Sequence, residues 1–352
     1  MFENLATLKG KWVRHFSHND LDGYAPQALS KVSELVISDY KHCGYGSFNS
    51  ELKKSIEFFE SHDDLKPFAI LITDIAPESK ELVGRLDKLT KNGLTVVLLD
   101  HHDTNKWIAE EFPQWAWIDN QINNQLTCGT ELYFLYLAEK GLLGESIASS
   151  NILKEFVELV RSYDTWDWSK TDNFTAKDLN TLLYSIGPSR FLINQLAKVA
   201  NEKIKGKLKF YFEDEENLLI NLENKKEEKY INSRMEQLKV CDWGIGDSSY
   251  KVGVVFADQF HSVLGNDLNR SFPELDFIAI LDLNLGKGSL RTIHDHVHVG
   301  EIANEIAGGG GHPKAAGFEY NTEDILPGVQ NALGIKIPKM MWVQKKIDNW
   351  FD

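Results

Sequence analysis

Short apolar runs alternate with amphipathic segments in the first half of the chain. The runs KWVRHF, PFAILIT and LTVVLL have the length and composition of buried strands, and PQALSKVSELV and SKELVGRLDKLTKNG follow the first two with helical spacing. Strands that alternate with helices in this way predict βαβ units and a parallel sheet. Such sheets bind ligands just beyond the carboxyl ends of their strands.

Charged helix formers dominate residues 191–238, and a β-rich pattern returns after them. This later part contains the apolar runs KVGVVFA and DFIAILDLN and the helical segment VGEIANEIAG. We therefore predict an α/β protein in three parts. They are an N-terminal, Rossmann-like parallel-sheet domain over 1–188, a helical connector over 189–239 and a smaller C-terminal α/β domain over 240–352.

Composition places the chain among ordinary globular proteins, with 42% hydrophobic and 26% charged residues among 352. Cys43, Cys128 and Cys241 form no Cys-x-x-Cys pair, which favours a reducing compartment over a disulfide framework or structural zinc. The N-terminal residues lack the apolar core of a signal peptide, and no apolar run approaches ~18 residues. We expect a soluble, cytoplasmic protein with no membrane partner.

The net charge of −14 argues against a protein that coats long nucleic acids. Affinity for long nucleic acids comes mostly from Lys and Arg side chains that neutralise phosphates. A short anionic substrate in one cleft remains compatible with this charge. Acidic residues that surround bound cations would also account for part of it.

Acids and histidines follow all three predicted strands of the first half. Because parallel strands end at the same edge of a sheet, we expect these side chains to converge. A later helix, FVELVRSYDTWDW, adds two more acids. The residues are His18, Asp20 and Asp22 after the first strand, Asp74 after the second, Asp100, His101 and His102 at the end of the third, and Asp164 and Asp167 from the helix.

Carboxylates this close would repel one another and raise one another's pKa, a cost that divalent cations remove. A donor set rich in carboxylates with one or two imidazoles suits Mn²⁺ or Mg²⁺. More than four candidate ligands indicate two metals, roughly 3.5 to 4 Å apart. A single Asp after a strand is more commonly a helix cap or turn residue. The repetition of this chemistry at several strand ends favours the metal site.

Five motifs occur in an order that is similar to that of a known superfamily. SHNDLDG, ITD, LLDHH and SYD are followed by the glycine-rich GGGGHPKAAGF at residues 308–318. Together they resemble the DHH phosphoesterase superfamily with its C-terminal DHH-associated domain. The chain looks closest to nanoRNase B-type oligoribonucleases, with RecJ-type exonucleases and NrnA-type oligoribonucleases as more distant relatives.

The resemblance implies two Mn²⁺ ions, with Mg²⁺ or Co²⁺ as alternatives. It implies that Asp74 bridges the metals, that Asp100 orients an imidazole, and that His102 contacts the phosphate or protonates the leaving oxygen. The SYD pattern favours Asp164 over Asp167, and His18 ranks below the other ligands because its spacing varies within the superfamily. The implied metal ligands are Asp20, Asp22, Asp74, His101, Asp164 and His18.

In the C-terminal part, the resemblance implies that a glycine loop and Arg291 grip a phosphate or base of the substrate. The loop residues are Gly309, Gly310, Gly311 and His312. A tight turn and a surface salt bridge are the simpler alternatives. Two further patterns stay open. His294, His296 and His298 lie at spacing two, as on one face of a strand, and form either a second metal site or a solvated or substrate-facing surface. The dense tryptophans suit either base stacking or packing; they are Trp107, Trp115, Trp117, Trp166 and Trp168.

These features predict a manganese-dependent phosphodiesterase or exonuclease that degrades short oligonucleotides, RNA or DNA, to mononucleotides by two-metal hydrolysis. One alternative on the same scaffold is cleavage of linear or cyclic dinucleotides, or phosphatase action on phosphoadenosine nucleotides or polyphosphate. An alternative of a different class is a non-catalytic nucleotide sensor. A homodimer is left open.

Overall fold

The computed structural model describes residues 1–62, 64–206 and 209–325. The chain divides into two compact units, Met1–Glu223 and a second unit that begins at Asn224. The boundary falls inside a long helix, Asp214–Met235. Residues 326–352, the end of the third predicted part, lie outside the described residues. Among the described helices, none is long and apolar enough to cross a membrane.

The first unit is built on a five-stranded parallel sheet of order β2-β1-β3-β4-β5. The two central strands β3 and β4 are almost fully buried, which explains why their sequences are continuous apolar runs. A short hairpin, β6 (Gln121–Ile122) and β7 (Gln125–Leu126), follows the sheet. The sheet strands are β1 (Trp12–Ser17), β2 (Val36–His42), β3 (Phe68–Thr73), β4 (Thr95–Asp100) and β5 (Ala116–Ile118).

Helices cover both faces of this sheet, and the strand side chains alternate between two cores. Leu71 and Leu99 pack in a core with α1, α5 and α7, whereas Ile70 and Leu98 pack in the opposite core with α2 and α3. The helices of this unit are α1 (Leu21–Val32), α2 (Tyr45–Glu60), α3 (Lys80–Lys91), α4 (Lys106–Glu111), α5 (Gly129–Glu139), α6 (Glu145–Ala148), α7 (Asn151–Asp164), α8 (Asp167–Lys170), α9 (Phe174–Ile186), α10 (Pro188–Ala200), α11 (Glu202–Lys205) and the first part of α12 (Asp214–Met235).

The structure confirms the parallel α/β architecture and corrects two details of it. Strand β2 and helix α2 are absent from the sequence-based prediction, because β2 is a half-exposed edge strand with little apolar signal. Helix α1 begins at Leu21, earlier than the expected start at Pro26, because Asp20 accepts a hydrogen bond from the Gly23 amide and caps it.

The second unit contains a six-stranded mixed sheet of order β12-β13-β11-β10-β9-β8. Strands β9 and β10 are parallel, and the other neighbours are antiparallel. Helices α13 and α14 pack on opposite faces, in separate cores. The elements are β8 (Lys239–Ile245), β9 (Ser248–Phe256), α13 (His261–Ser271), β10 (Phe277–Asp282), β11 (Lys287–Arg291), α14 (Val299–Ala307), β12 (Gly310–Gly311) and β13 (Ala315–Glu319).

Candidate active site

Strands β1, β3 and β4 are neighbours in the sheet, so their carboxyl ends deliver the predicted acids and histidines to one edge. After β1, His18 Nδ1 lies 2.8 Å from Asp20 Oδ2 and 3.9 Å from Asp74 Oδ2. Burial acts to raise the pKa of Asp20, but the hydrogen bond and charge of His18 outweigh it and the pKa is lowered. His18 and Asp20 therefore form one side of the cluster.

Asp22 is buried in the first turn of α1, and its side chain binds the N-terminal end of a second helix, α5. Its two carboxylate oxygens accept hydrogen bonds from the Gly129 amide at 2.7 Å and the Thr130 amide at 2.8 Å. These amides belong to the first turn of α5, whose positive end stabilises negative charge on Asp22. The same carboxylate lies 3.7 Å from His101 Nε2.

Asp74 lies at the centre of the cluster with strained backbone and an uncompensated charge. Its φ of 57° is left-handed, a conformation that Asp tolerates better than most residues. Oδ1 lies 3.2 Å from His101 Nε2, whereas the buried Oδ2 has no hydrogen-bond partner among the described residues. Burial and the charges of Asp22, Asp20 and Asp164 raise the pKa of Asp74 well above its usual value.

His101 joins carboxylates from three different elements. Besides Asp74 and Asp22, its Nε2 lies 3.6 Å from Asp164 Oδ2 at the end of α7. Burial, the largest effect, and the neighbouring acids Asp22 and Asp20 raise the pKa of Asp164 to about 7, although His101 acts against the rise. A helix that follows far along the chain thus completes the cluster begun by the strands.

Asp100 is fully buried, and its carboxylate orients the His102 ring through a hydrogen bond. Its Oδ1 lies 2.7 Å from His102 Nδ1 and accepts from the His101 amide, while Oδ2 accepts from Asn105. Burial opposes the charge on Asp100, but these hydrogen bonds and His102 lower its pKa. Burial would lower the pKa of His102, but Asp100 overcomes it and raises the pKa to about 9.

The donor atoms fit hard divalent cations. Three overlapping groups place their ligand atoms within 4.8 Å of one another. The Oδ2 atom of Asp74 is buried among like charges and has no hydrogen-bond partner among the described residues, and a bound cation would supply the missing partner. The groups are His18, Asp20 and Asp74; Asp22, His101 and Asp164; and Asp74, Asp100, His101 and His102.

Asp167 pairs with Arg161 and not with the cluster. Asp167 Oδ2 accepts from Arg161 Nη2 at 3.0 Å, and Asp167 belongs to none of the ligand groups found among the described residues.

The five tryptophans singled out in the sequence pack within the first unit. Trp115 and Trp168 are buried, and Trp117 packs edge-on against Phe2. Trp166 lies beside Trp168, with ring centroids 5.5 Å apart, and the Trp107 ring lies under the Lys80 ammonium. These contacts favour the packing interpretation.

Comparison with known proteins decides the family. No family model matches the chain. It is 33% identical to oligoribonuclease NrnB of Bacillus subtilis (strain 168) over 309 residues, 88% of this chain and 73% of that protein. The chain belongs to the DHH phosphoesterase superfamily. It is therefore an enzyme of the phosphoesterase class.

Other DHH-type proteins show similarity over most of the chain. A 3′,5′-cyclic-nucleotide phosphodiesterase of Helicobacter pylori (strain ATCC 700392 / 26695) is 27% identical over 336 residues, 87% of this chain and 92% of that protein. The crystal structure of exonuclease RecJ bound to manganese matches with a TM-score of 0.53 at 16% identity, covering 94% of this chain and 91% of that one. At this identity, the similarity to RecJ shows a shared fold only.

The glycine loop of this DHH protein is a tightly packed hairpin in the second unit. A side chain at Gly309 would meet the Gly317 carbonyl oxygen at 2.3 Å, and one at Gly311 would meet the Ala315 oxygen at 2.5 Å. The turn therefore requires glycine for structural reasons alone at these two positions. His312 at its tip is exposed, and its amide donates to Ala315.

Arg291, the predicted phosphate clamp, ends β11 with a largely buried side chain. Its guanidinium donates to the Ser262 hydroxyl at 3.0 Å and to the carbonyl oxygens of Leu290 and Ala316. Burial lowers its pKa. The side chain is thus held in place by neutral oxygens.

The three histidines expected on a strand face lie in a loop instead, so that placement was wrong. Strand β11 ends at Arg291, before the first of them. His294 Nε2 bonds the Leu275 carbonyl, and His298 caps α14 by accepting from the Glu301 amide. His296 is exposed and lies 3.6 Å from Asp276. Two of the three therefore have structural partners.

Two residues at the DHH site were missed from the sequence. A side chain at Gly129 would meet Asp74 Cβ at 2.5 Å, so this glycine allows α5 to approach the cluster. Tyr45, the first residue of α2, hydrogen bonds His102. The start of α5 carries a local signal, Cys128 followed by Glu131, but nothing in the sequence joins it to Asp22.

Proposed function

We propose that the chain is a manganese-dependent phosphodiesterase that degrades short oligonucleotides to mononucleotides by two-metal hydrolysis. The observation that carries this proposal is the cluster of ligand groups around Asp74, whose buried Oδ2 has no hydrogen-bond partner in the part of the chain that the structure describes. The name of the Bacillus subtilis relative, oligoribonuclease NrnB, supports the substrate class.

We assign His18, Asp20 and Asp74 to one metal and Asp22, His101 and Asp164 to the other. Asp74 is the proposed bridge because it lies between the two groups, with one oxygen towards His18 and the other towards His101. Metals held there would neutralise phosphoryl oxygens and lower the pKa of a coordinated water. The carboxylates would hold the metals, and the first amides of α5 orient Asp22.

His102 is the proposed acid for the leaving oxygen. Asp100 holds its Nδ1, which leaves Nε2 to face away from the buried strand. With a pKa raised to about 9, His102 carries a proton at neutral pH. A proton on Nε2 can therefore pass to the oxygen that leaves phosphorus when the phosphodiester breaks.

We further propose that Arg291 and the loop Gly309, Gly310, Gly311 and His312 bind a phosphate or base at one end of the substrate. The Arg291 guanidinium is planar and suited to bidentate phosphate contacts. End binding favours removal of single nucleotides from short chains. The net charge of −14 also favours short substrates, because 52 acidic residues outnumber the 38 Lys and Arg residues that could bind the phosphates of a long strand.

The test is an assay with Mn²⁺ and end-labelled RNA of two to five nucleotides. Wild-type protein should release mononucleotides, and Asp74→Ala should abolish release. Asp167→Asn is the matched control because Asp167 pairs with Arg161 outside the ligand groups, so it should retain activity. Absence of mononucleotide release by the wild type, or full activity of Asp74→Ala, would refute the proposal.

A second candidate is hydrolysis of cyclic nucleotides or of linear or cyclic dinucleotides. It is favoured by the name of the Helicobacter pylori relative, a 3′,5′-cyclic-nucleotide phosphodiesterase. Both reactions break a phosphodiester and need the same cluster. Comparison of kcat/KM for the short RNAs, a cyclic mononucleotide and linear and cyclic dinucleotides distinguishes them, since the preferred substrate should exceed the others by at least about tenfold.

A further inference from the structure

Tyr45 reaches the active-site edge because β2 is the parallel neighbour of β1. The pairing continues beyond both strands, where the Cys43 amide donates to the Ser17 carbonyl oxygen at 2.9 Å. Gly44 then precedes α2 within van der Waals reach of Asn19, since a Cβ on this glycine would lie 3.7 Å from the Asn19 Oδ1 atom. Helix α2 therefore begins, with Tyr45, directly beside the polar segment that follows β1.

The Tyr45 side chain contacts both sides of the cluster. Its hydroxyl oxygen lies 3.0 Å from His102 Nε2. Its ring centroid lies 4.8 Å from that of His18, with the planes tilted by 44°. The residue is 45% exposed, so the phenol forms part of the accessible wall of the site.

Tyr45 completes a hydrogen-bonded chain that starts in the buried sheet. Asp100 contacts Nδ1 of His102 at 2.7 Å, and Tyr45 contacts Nε2 at the opposite end of the ring. An imidazole held at one nitrogen can swing about that hydrogen bond, whereas one held at both is fixed in plane and direction. A phenol suits this place because its hydroxyl accepts from a protonated Nε2 and donates to a neutral one.

We propose that Tyr45 is a positioning residue that, together with Asp100, fixes the plane of the His102 ring and keeps Nε2 at the accessible wall of the site before substrate binds. This inference rests on the proposed role of His102 as the acid. The leaving oxygen would then take the place of the Tyr45 hydroxyl as the hydrogen-bond partner of Nε2, and Tyr45 itself gains and loses no proton. The contact between the Tyr45 ring and the His18 ring keeps the phenol in place while His102 changes its hydrogen-bond partner.

Tyr45→Phe tests the role of the hydroxyl, because it keeps the ring against His18. We expect kcat on the preferred short substrate to fall about tenfold, the effect of roughly one hydrogen bond on the barrier, with KM changed less than about twofold. The matched control is Tyr136→Phe, which removes a 2.7 Å hydrogen bond to the Ala6 carbonyl away from the cluster. It should lower the melting temperature and leave kcat unchanged.

An unchanged kcat in Tyr45→Phe, or a loss confined to KM, would overturn the inference. So would an equal fall of kcat in Tyr136→Phe, since the effect would then be structural. A folded Tyr45→Leu variant should lose at least as much kcat as Tyr45→Phe.

A second measurement needs no activity and separates this inference from the proposed function. In ¹⁵N spectra of the metal-free protein, the His102 Nε2 signal should shift in Tyr45→Phe and stay in place in Tyr136→Phe. An unmoved signal would overturn the inference. If the signal shifts but the wild type cleaves no substrate, the proposed function fails while the contact between Tyr45 and His102 stands.

Discussion

Asp74 is a residue whose conformation and charge both oppose stability, and both are features that the proposed metal site would account for. Its backbone is left-handed, and burial of the side chain, together with three neighbouring carboxylates, raises its pKa. Residues held in this way cluster at functional sites, where the strain is compensated by the surrounding structure. A bound cation would reverse the sign of the local electrostatic cost.

Asp74→Asn should therefore separate stability from activity. Asn tolerates the left-handed backbone and removes the buried charge, so the metal-free protein should gain roughly 1 kcal/mol or more in free energy of unfolding. Activity should fall at least about a hundredfold, because even the loss of a group that supports a ligand costs 10- to 100-fold. Urea unfolding in chelator and a Mn²⁺ assay measure the two effects.

The control for this substitution is Asp167→Asn, which alters an acid of the same unit that already has a cationic partner. It breaks the contact to the buried Arg161 and should lower the free energy of unfolding. Lower metal-free stability in Asp74→Asn would contradict the account of Asp74 as an electrostatically strained residue.

At the scale of elements, the site depends on the close approach of α5 to the end of β3. Gly129 permits this approach, and the first amides of α5 hold Asp22. The helix thus performs two tasks, since it covers one face of the sheet and fixes a proposed ligand. A displacement of its first turn would disturb both.

Gly129→Ala should displace that turn, because the new Cβ would lie 2.5 Å from Asp74 Cβ. Overpacking of this kind costs about 1 to 3 kcal/mol, and we expect activity to fall with it. Gly84→Ala in α3 is the matched control, since a Cβ there meets none of the described residues within 4 Å. It should stabilise by about 0.5 to 1 kcal/mol, the usual difference between these residues in a helix. Equal melting temperatures for the two variants would contradict this account.

At the scale of the whole molecule, the acid cluster determines how stability depends on pH. Asp164 has a pKa of about 7 in the folded protein and ~3.9 when unfolded, so the folded state binds more protons between these values. His102 acts in the same direction between about 6.5 and 9. Burial lowers the pKa of His15 to about 3 and that of His42 to about 4, so these two histidines act in the opposite direction below about 6.5. The free energy of unfolding of metal-free protein should therefore fall as pH rises from about 6.5 to 8.

Melting temperatures in chelator, measured from about pH 6.5 to 8, check this trend. Asp164→Asn should flatten the slope. Mn²⁺ at about 100 times its dissociation constant should add about 2.7 kcal/mol per site and counteract the fall, because metal binding strengthens as the ligands lose protons. A metal-free protein that becomes more stable from about pH 6.5 to 8 would argue against a strained carboxylate cluster.

The sequence by itself determined the parallel sheet and the convergence of acids at its edge. Apolar runs such as LTVVLL carry strand and burial information locally, and parallel strands must end at a common edge. The strand pattern alone therefore predicts that Asp74, Asp100 and His101 lie close together. The edge strand β2 was missed because half-exposed strands lack that apolar signal.

Only the tertiary structure decided which partners these residues have. Asp22 receives its hydrogen bonds from residues more than 100 positions away, and Tyr45 meets His102 across 57 positions. Asp164 and Asp167, three residues apart, have different partners because the first ends α7 and the second turns to Arg161. Residue types and strand patterns are local properties of the chain, whereas these contacts arise from how helices pack on the sheet.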